Sequence, residues 1–306
     1  MNAHAPILVT GAHRTGTTWV GKMLAAGPQV AYISEPLNVQ HRPGVLRAPV
    51  EKWYTLICEE NETEYLPAFR ELLGFRYGLW REIRSLRSRR DFLRGGRDFS
   101  VFLRGRFLQQ RPLIKDPFAV FSVPWFADRL GCRVVVTVRH PAGFASSLKR
   151  LKWAFDFHDL LEQPLLMQKW LNVDRAEMEL IQTDDIIGQA ALLWRMVYRV
   201  VARMMQLHPA IIAVRHEDLS HDPVPFYRDL YAALDLDFTQ DVEQTILSAS
   251  SSENPTELPK TKVHAVKLDS RANLDNWKRR LSKEEITRIR KMTGKTANLF
   301  YSDEEW

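Results

Sequence analysis

Near the N-terminus the run PILVT-GAHRTG-TTW, residues 6–19, passes from an apolar, β-branched stretch through a glycine-bounded loop into residues with helical spacing. This strand–loop–helix is the strongest constraint on the fold. A strand that is apolar along its whole length is buried on both faces, which points to a parallel sheet covered by helices on either side. Residues 17–26 carry Val20, Met23 and Leu24 at helical spacing and stop at Gly27-Pro28. Residues 30–33, 113–115, 133–138 (RVVVTV) and 211–214 read as further short buried strands. Helical patterns separate them: residues 122–130 closed by Gly131, 142–151, 184–207 capped by Thr183 or Asp184, and 226–234. A last helix opens on the capping box Ser282-Lys283-Glu284-Glu285 and ends at Gly294. The expected fold is α/β, a doubly wound parallel sheet with a P-loop-like strand–loop–helix, in one domain over residues 1–306. Residues 50–111 form an expected Arg-rich, mostly helical insertion broken at Gly74, Gly78 and Gly95-Gly96.

The insertion carries the charge excess. The chain has a formal net charge of +6, yet residues 70–111 hold twelve Arg, no Lys and four acids (Glu71, Glu82, Asp91, Asp98), a local net of +8. The remaining 31 basic and 33 acidic residues sum to −2. A solvated helical face and an electropositive surface for an anionic acceptor, a membrane or nucleic acid are both compatible with such a run. Nucleic-acid binding is not expected as the main function, whereas peripheral membrane contact through residues 70–111 can coexist with catalysis. No run approaches the roughly 18 apolar residues of a spanning helix; the best, residues 190–207, is interrupted by Arg195, Arg199 and Arg203. The start MNAHAPILVTG lacks the basic region of a secretory signal. Cys58 and Cys132 form no CxxC pair, as for free thiols in a reducing compartment. A cytoplasmic protein is expected.

Ligands of doubly wound folds sit beyond the C-terminal ends of the strands. At the first such end, Gly11 to Gly16 has the G-x-x-x-x-G skeleton of a phosphate loop, whose backbone N–H groups and following helix N-terminus cradle an anion. Thr17 stands where a Walker lysine would reach the β- and γ-phosphates, and Arg14 supplies positive charge from inside the loop. The loop therefore suits a phosphate better than a triphosphate. The strand RVVVTV ends in Arg139, with Ser147 eight residues later, and Pro141 and Gly143 permit a tight turn between them. An arginine donates two parallel bonds to phosphate. A Walker-B strand would end in an acid instead. The nine histidines form no HExxH or HxxxH pair and no cysteine accompanies them, so no metal is expected.

The run His13-Arg14-Thr15-Gly16-Thr17-Thr18-Trp19 resembles the 5′-phosphosulfate loop of the sulfotransferases, whose donor is 3′-phosphoadenosine 5′-phosphosulfate (PAPS). The resemblance implies that this run holds the donor's 5′-phosphate and sulfuryl group. Arg139 and Ser147 fall at the Arg and Ser of the family's 3′-phosphate motif. Arg215-His216-Glu217-Asp218-Leu219 is similar to its E-D-L segment, read as mostly structural. Arg271 through Trp277-Lys278 resembles the loop that closes over the nucleotide, expected at residues 260–280. Cytosolic members carry a His two residues after a Lys; this chain has Lys115-Asp116-Pro117 there. Carbohydrate-type members carry a Glu in a comparable E-P motif, which Ser34-Glu35-Pro36 matches.

The resemblance thus implies Glu35 as general base, with Arg14 and then Lys115 stabilising the leaving oxygen. His13 and His140 are alternative bases that flank the two loops. The expected activity is transfer of a sulfuryl group from PAPS to a hydroxyl of a carbohydrate or glycolipid, an anionic glycan among them. A phenolic or alcoholic natural product is the alternative acceptor, and a P-loop nucleoside or small-molecule kinase the alternative of another class. The oligomeric state is left open.

Overall fold

Five strands form where the apolar runs predict them: β1 (Ile7–Thr10), β2 (Val30–Ser34), β3 (Arg111–Lys115), β4 (Arg133–Val138) and β5 (Ile212–Arg215). The computed structural model describes residues 5–40, 42–257 and 266–306. All pairings are parallel and the strand order is β2-β3-β1-β4-β5. Side chains alternate between the two faces as strand geometry requires. Ile7 and Val9 of β1 join one core cluster with Val20, Met23 and Leu24 of helix α1 (Thr17–Leu24); Leu8 joins the cluster on the opposite face. The sheet is covered on both sides.

From β1 the chain runs outward to β2 and returns through β3; from β3 it crosses to β4 on the other side of β1. The switch point lies between β1 and β4, which is where an open α/β sheet leaves a crevice. The register pairs Thr10 with Val136, so β4 extends two residues further, and Arg139 follows directly above the loop that leaves β1.

The insertion is helical, with different boundaries from those expected. No helix spans residues 50–58; the helices are α2 (Glu62–Leu73), α3 (Leu79–Ser85) and α4 (Arg89–Phe107). Gly74 and Gly78 fall in the breaks, but Gly95 and Gly96 lie inside α4. Each helical glycine costs about 1 kcal/mol relative to alanine, and tertiary packing outweighs it here. Gly95 lies against the buried Glu82 side chain, and Phe102 of the same helix enters the core beside Phe75.

Helices α5 (Val123–Leu130), α6 (Pro141–Leu151) and α7 (Ile186–Leu207) follow the pattern. The cap of α7 is Asp185, whose Oδ1 accepts the Gly188 N–H at 2.9 Å, and not Thr183 or Asp184. Helix α8 (Pro223–Ala233) starts three residues before the expected position, on Pro223 at its first turn. Helix α9 (Gln240–Ser250) and short helical turns between residues 158 and 180 are additions. The last helix, α10 (Lys283–Ala297), has the expected capping box and runs through Gly294. Among the described residues no helix is long and apolar enough to cross a membrane.

Candidate functional site

The loop from β1 to α1 turns on three left-handed residues: Gly11 (φ 138°), Arg14 (φ 69°) and Gly16 (φ 98°). Gly11 has no alternative, since a Cβ there would lie 2.4 Å from the Thr137 carbonyl oxygen. Thr15 is buried beneath the loop and staples it: its hydroxyl donates to Ala12 O at 2.6 Å and lies 2.8 Å from Thr137 Oγ1. Tyr198 reaches the same place from α7, donating to Thr137 O at 2.8 Å and accepting the Ala12 N–H at 3.3 Å. The scaffold leaves the N-terminus of α1 without a side-chain cap or an acid in its first turn. Its first N–H groups thus remain available to an anion.

Two arginines converge there. Arg139 donates from Nη1 to Arg14 O at 3.2 Å, and Arg14 Nε donates to Ser147 Oγ at 3.4 Å. The turn into α6 is tight, because a Cβ on Gly143 would sit 3.2 Å from Arg139 Nε. Burial, with Arg139 and Arg150 nearby, lowers the Arg14 pKa to about 10; burial likewise lowers that of Arg139. Arg280 is lowered to about 10 by burial and by the Arg150 and Arg139 charges. Arg150 lies 3.9 Å from Glu257, which also pairs with Arg280. Cations held together under desolvation favour a polyanionic ligand.

At the neighbouring strand end Glu35 adopts a left-handed backbone (φ 51°) directly before Pro36, a combination disfavoured for a side chain with a Cβ. Its carboxylate pairs with the buried Lys115 through Oε1 and accepts from Asn38 Nδ2 at 2.8 Å through Oε2. Asp116, next to Lys115, accepts the N–H groups of Leu37 (2.6 Å) and Phe118 (2.9 Å) and is pushed up to about 7 by burial. Its oxygens face the backbone of the turn.

One cavity of about 640 Å³ joins these parts. His13, Arg14, Gly16, Thr17, Thr18, Trp19, Glu35 and Arg139 all line it. Thr15, Lys115 and Ser147 stand behind the lining, each bonded to a loop atom or to a residue that reaches the cavity. Arg271 lies outside it, with Nε donating to His221 O at 2.7 Å. Residues 258–265, including the start of the expected 260–280 loop, lie outside the described residues; Val266, Leu268, Ser270 and Asn273 border the cavity.

Of the two histidines weighed as bases, His13 is in the lining. It shares a 2.7 Å hydrogen bond with the Tyr54 hydroxyl, and burial lowers it to about 4. His140 is not; it stacks on Trp277 (centroids 5.2 Å apart) inside an aromatic cage with Tyr301 and Trp306.

Two groups of lining residues escaped the sequence reading. An aromatic wall of Trp53, Phe118, Trp153 and Phe155 flanks His13, with Trp53 and Phe118 centroids 4.3 Å apart. His216 sits against Gly16 and edge-on to Trp19 at 5.8 Å; both its ring nitrogens and Trp19 Nε1 are buried without a partner among the described residues. His216 is visible in the sequence within the segment similar to the family's E-D-L run, read there as mostly structural, and one residue beyond β5; its place in the lining is not.

Residues 6–240 match the sulfotransferase family. The chain belongs to that family. Among solved structures, the sulfotransferase domain from the curacin biosynthetic pathway aligns over 99% of this sulfotransferase and 99% of its own chain, at 16% identity and TM-score 0.50. That from the Synechococcus PCC 7002 olefin synthase aligns over 99% and 98% (15% identity, TM-score 0.48). Sulfotransferase STF9 from Mycobacterium avium aligns over 98% and 78% (15% identity, TM-score 0.49). At 16% identity the likeness to the curacin-pathway domain is one of fold. No curated protein matches the sulfotransferase significantly in sequence.

Proposed function

We propose that this sulfotransferase uses PAPS to sulfate a hydroxyl carried on an apolar, ring- or chain-bearing acceptor. The observation that carries the reading is the shared cavity: a half-buried cation group at an uncapped helix N-terminus, a strand-end carboxylate and an aromatic wall open into the same space. The residues fit the donor at three points. The α1 N-terminus with Arg14, Thr17 and Thr18 suits the 5′-phosphosulfate. Arg139, with Ser147 behind it, suits the 3′-phosphate. Trp19 and His216 offer a ring and unpartnered polar atoms to a purine; burial keeps His216 neutral, hence both a donor and an acceptor. Val266, Leu268 and Asn273 on the rim suit the part of closing over the nucleotide. One domain over residues 1–306, with 50–111 inserted at the β2 edge, accommodates these parts.

Bound there, the donor would supply the sulfuryl group. Glu35 then takes the acceptor's proton at a carboxylate oxygen, oriented by Asn38 and by Lys115. Arg14, with the α1 N–H groups, neutralises charge developing on the leaving oxygen, an effect of the kind that costs about 10²–10³-fold in rate when one donor is removed. Lys115, reached through Glu35, tunes that carboxylate more directly than it touches the leaving oxygen.

The wall of Trp53, Phe118 and Phe155, with the exposed Trp153 at its rim, favours the phenolic or alcoholic acceptor over a bare glycan, because aromatic faces in a cavity gain most from apolar surface. Incubating the protein with PAPS and matched panels of phenols, alkyl alcohols, sugars and glycolipids, and measuring release of adenosine 3′,5′-bisphosphate, tests this. Phenols or alkyl alcohols should turn over fastest; faster turnover of free sugars would return the reading to carbohydrates.

A further inference from the structure

Eight of the fifteen exposed large apolar side chains among the described residues lie within residues 79–108. Trp80 is 75% exposed, Phe92 68% and Phe107 77%. In α4 the exposed Phe92, Leu103 and Phe107 follow the helix period, joined into one stripe by Gly96 and by the half-buried Phe99, whose ring packs edge-on against Tyr77 at 5.7 Å. The core-facing side of the helix, with Asp98, Phe102 and Gly105, is a different one. Arg89 and Arg104 flank the stripe on one side and Arg106 on the other, by the 100° step of the helix. The exposed part of the stripe, Phe92, Leu103 and Phe107, belongs to no core cluster among the described residues.

The charge around it is nearly all of one sign. Each acid of the segment is engaged locally: Glu71 with Arg47, Asp91 with Ser88 and Arg94, Asp98 with Arg42, and Glu82 by the Gly44 N–H at 3.0 Å. No ion pair among the described residues involves Arg81, Arg84, Arg89, Arg90, Arg104 or Arg106, and all six are exposed.

The geometry points to α3 and α4 as a docking face for an anionic lipid surface, with the apolar stripe entering the acyl boundary and the flanking arginines meeting the headgroups. The alternatives fit the surface less well. A second copy would set one strongly cationic segment against another. Nucleic acid would engage the arginines but leave Ile83, Leu93, Leu103 and Leu108 without a partner, since aliphatic chains neither stack on bases nor bond phosphates. The face is coupled to the catalytic strand: Arg42 pairs with Asp98 of α4 and donates to Ser34 O at 2.7 Å, one residue before Glu35. The inference is independent of the donor and acceptor assigned to the cavity.

Vesicle co-sedimentation tests it, with the full chain, vesicles of phosphatidylcholine alone and vesicles of equimolar phosphatidylcholine and phosphatidylglycerol. The chain should bind the anionic vesicles and not the neutral ones, more weakly as salt rises. Replacing Arg89, Arg90, Arg104 and Arg106 together by Gln should weaken binding by about 100-fold or more, because each basic residue near such a surface is worth about fivefold. Phe92→Ser with Leu103→Ser and Phe107→Ser keeps every charge and should weaken binding by about tenfold or more through lost apolar burial. The substituted side chains are exposed, so both variants should melt like the parent. Failure of the parent to bind anionic vesicles would overturn the inference whatever the variants do. So would unchanged binding by the Ser variant, particularly if heparin or RNA captures parent and Ser variant equally.

Discussion

Glu35 brings two costs together at one residue. Its backbone is left-handed before a proline, a strain of about 1–3 kcal/mol, and its carboxylate is the ion-pair partner of the buried Lys115. Glu35→Gln should therefore have two separable effects. Turnover should fall by about 10²–10⁴-fold, the usual range for loss of a general base. Stability should fall by about 3 kcal/mol, because removing one partner strands the buried ammonium. Combining Glu35→Gln with Lys115→Met should restore much of the stability and none of the activity, read by thermal melting and by single-turnover rates. A Gln variant with near-parental turnover would remove Glu35 from the chemistry. The loop residues around this centre were legible in the sequence because strand, loop and helix are contiguous there. The aromatic wall was not: Trp53, Phe118, Trp153 and Phe155 come from distant segments with no shared period, and the fold alone brings them together.

At the scale of elements, apolar runs determined the strands, and all five appear within two residues of their expected places, β3 starting two residues earlier. Glycines were the poorer guide, because the same residue serves as a breaker, a packing contact or neither. Three positions separate these roles. Gly11→Ala drives a Cβ into the Thr137 carbonyl at a positive φ and should destabilise the fold by about 1–3 kcal/mol, with loss of ligand binding at the loop. Gly95→Ala meets Glu82 at 3.2 Å and should be at best neutral. Gly96→Ala, with nothing within 4 Å and helical backbone on both sides, should stabilise by about 0.5–1 kcal/mol. Denaturant midpoints would check the series; a stabilising Gly11→Ala or a destabilising Gly96→Ala would mean that the loop or α4 is built differently. The extension of α10 through Gly294 has the same origin, since that glycine also meets no neighbour and leaves the helix free to continue.

The whole molecule buries histidines that must stay neutral. Burial lowers His13 to about 4 and His140 to about 3, and lowers His216 well below its ordinary value. Between those values and the unfolded value of about 6.5, the unfolded chain binds more protons than the folded one, so stability rises with pH through that window. Asp116, raised to about 7 by burial, acts in the opposite sense, as do Glu217, Asp174 and Asp159, whose carboxyls burial also raises. The three histidines outweigh them between pH 5 and 7, because the unfolded values of all three fall inside that window. The melting temperature should therefore be lower at pH 5 than at pH 7, and His140→Phe, which fits the Trp277–Tyr301–Trp306 cage without a titrating ring, should narrow the difference. An equal or higher melting temperature at pH 5 would contradict the burial of these rings. The two anion sites at the β1 and β4 ends should select a 3′,5′-bisphosphorylated nucleotide. Thermal shift measures this selectivity: adenosine 3′,5′-bisphosphate in magnesium-free buffer, against ADP and ATP with and without magnesium. The bisphosphate should raise the melting temperature well above either of the others, and Arg139→Ala should abolish most of that preference; equal stabilisation by ATP with magnesium would contradict the account.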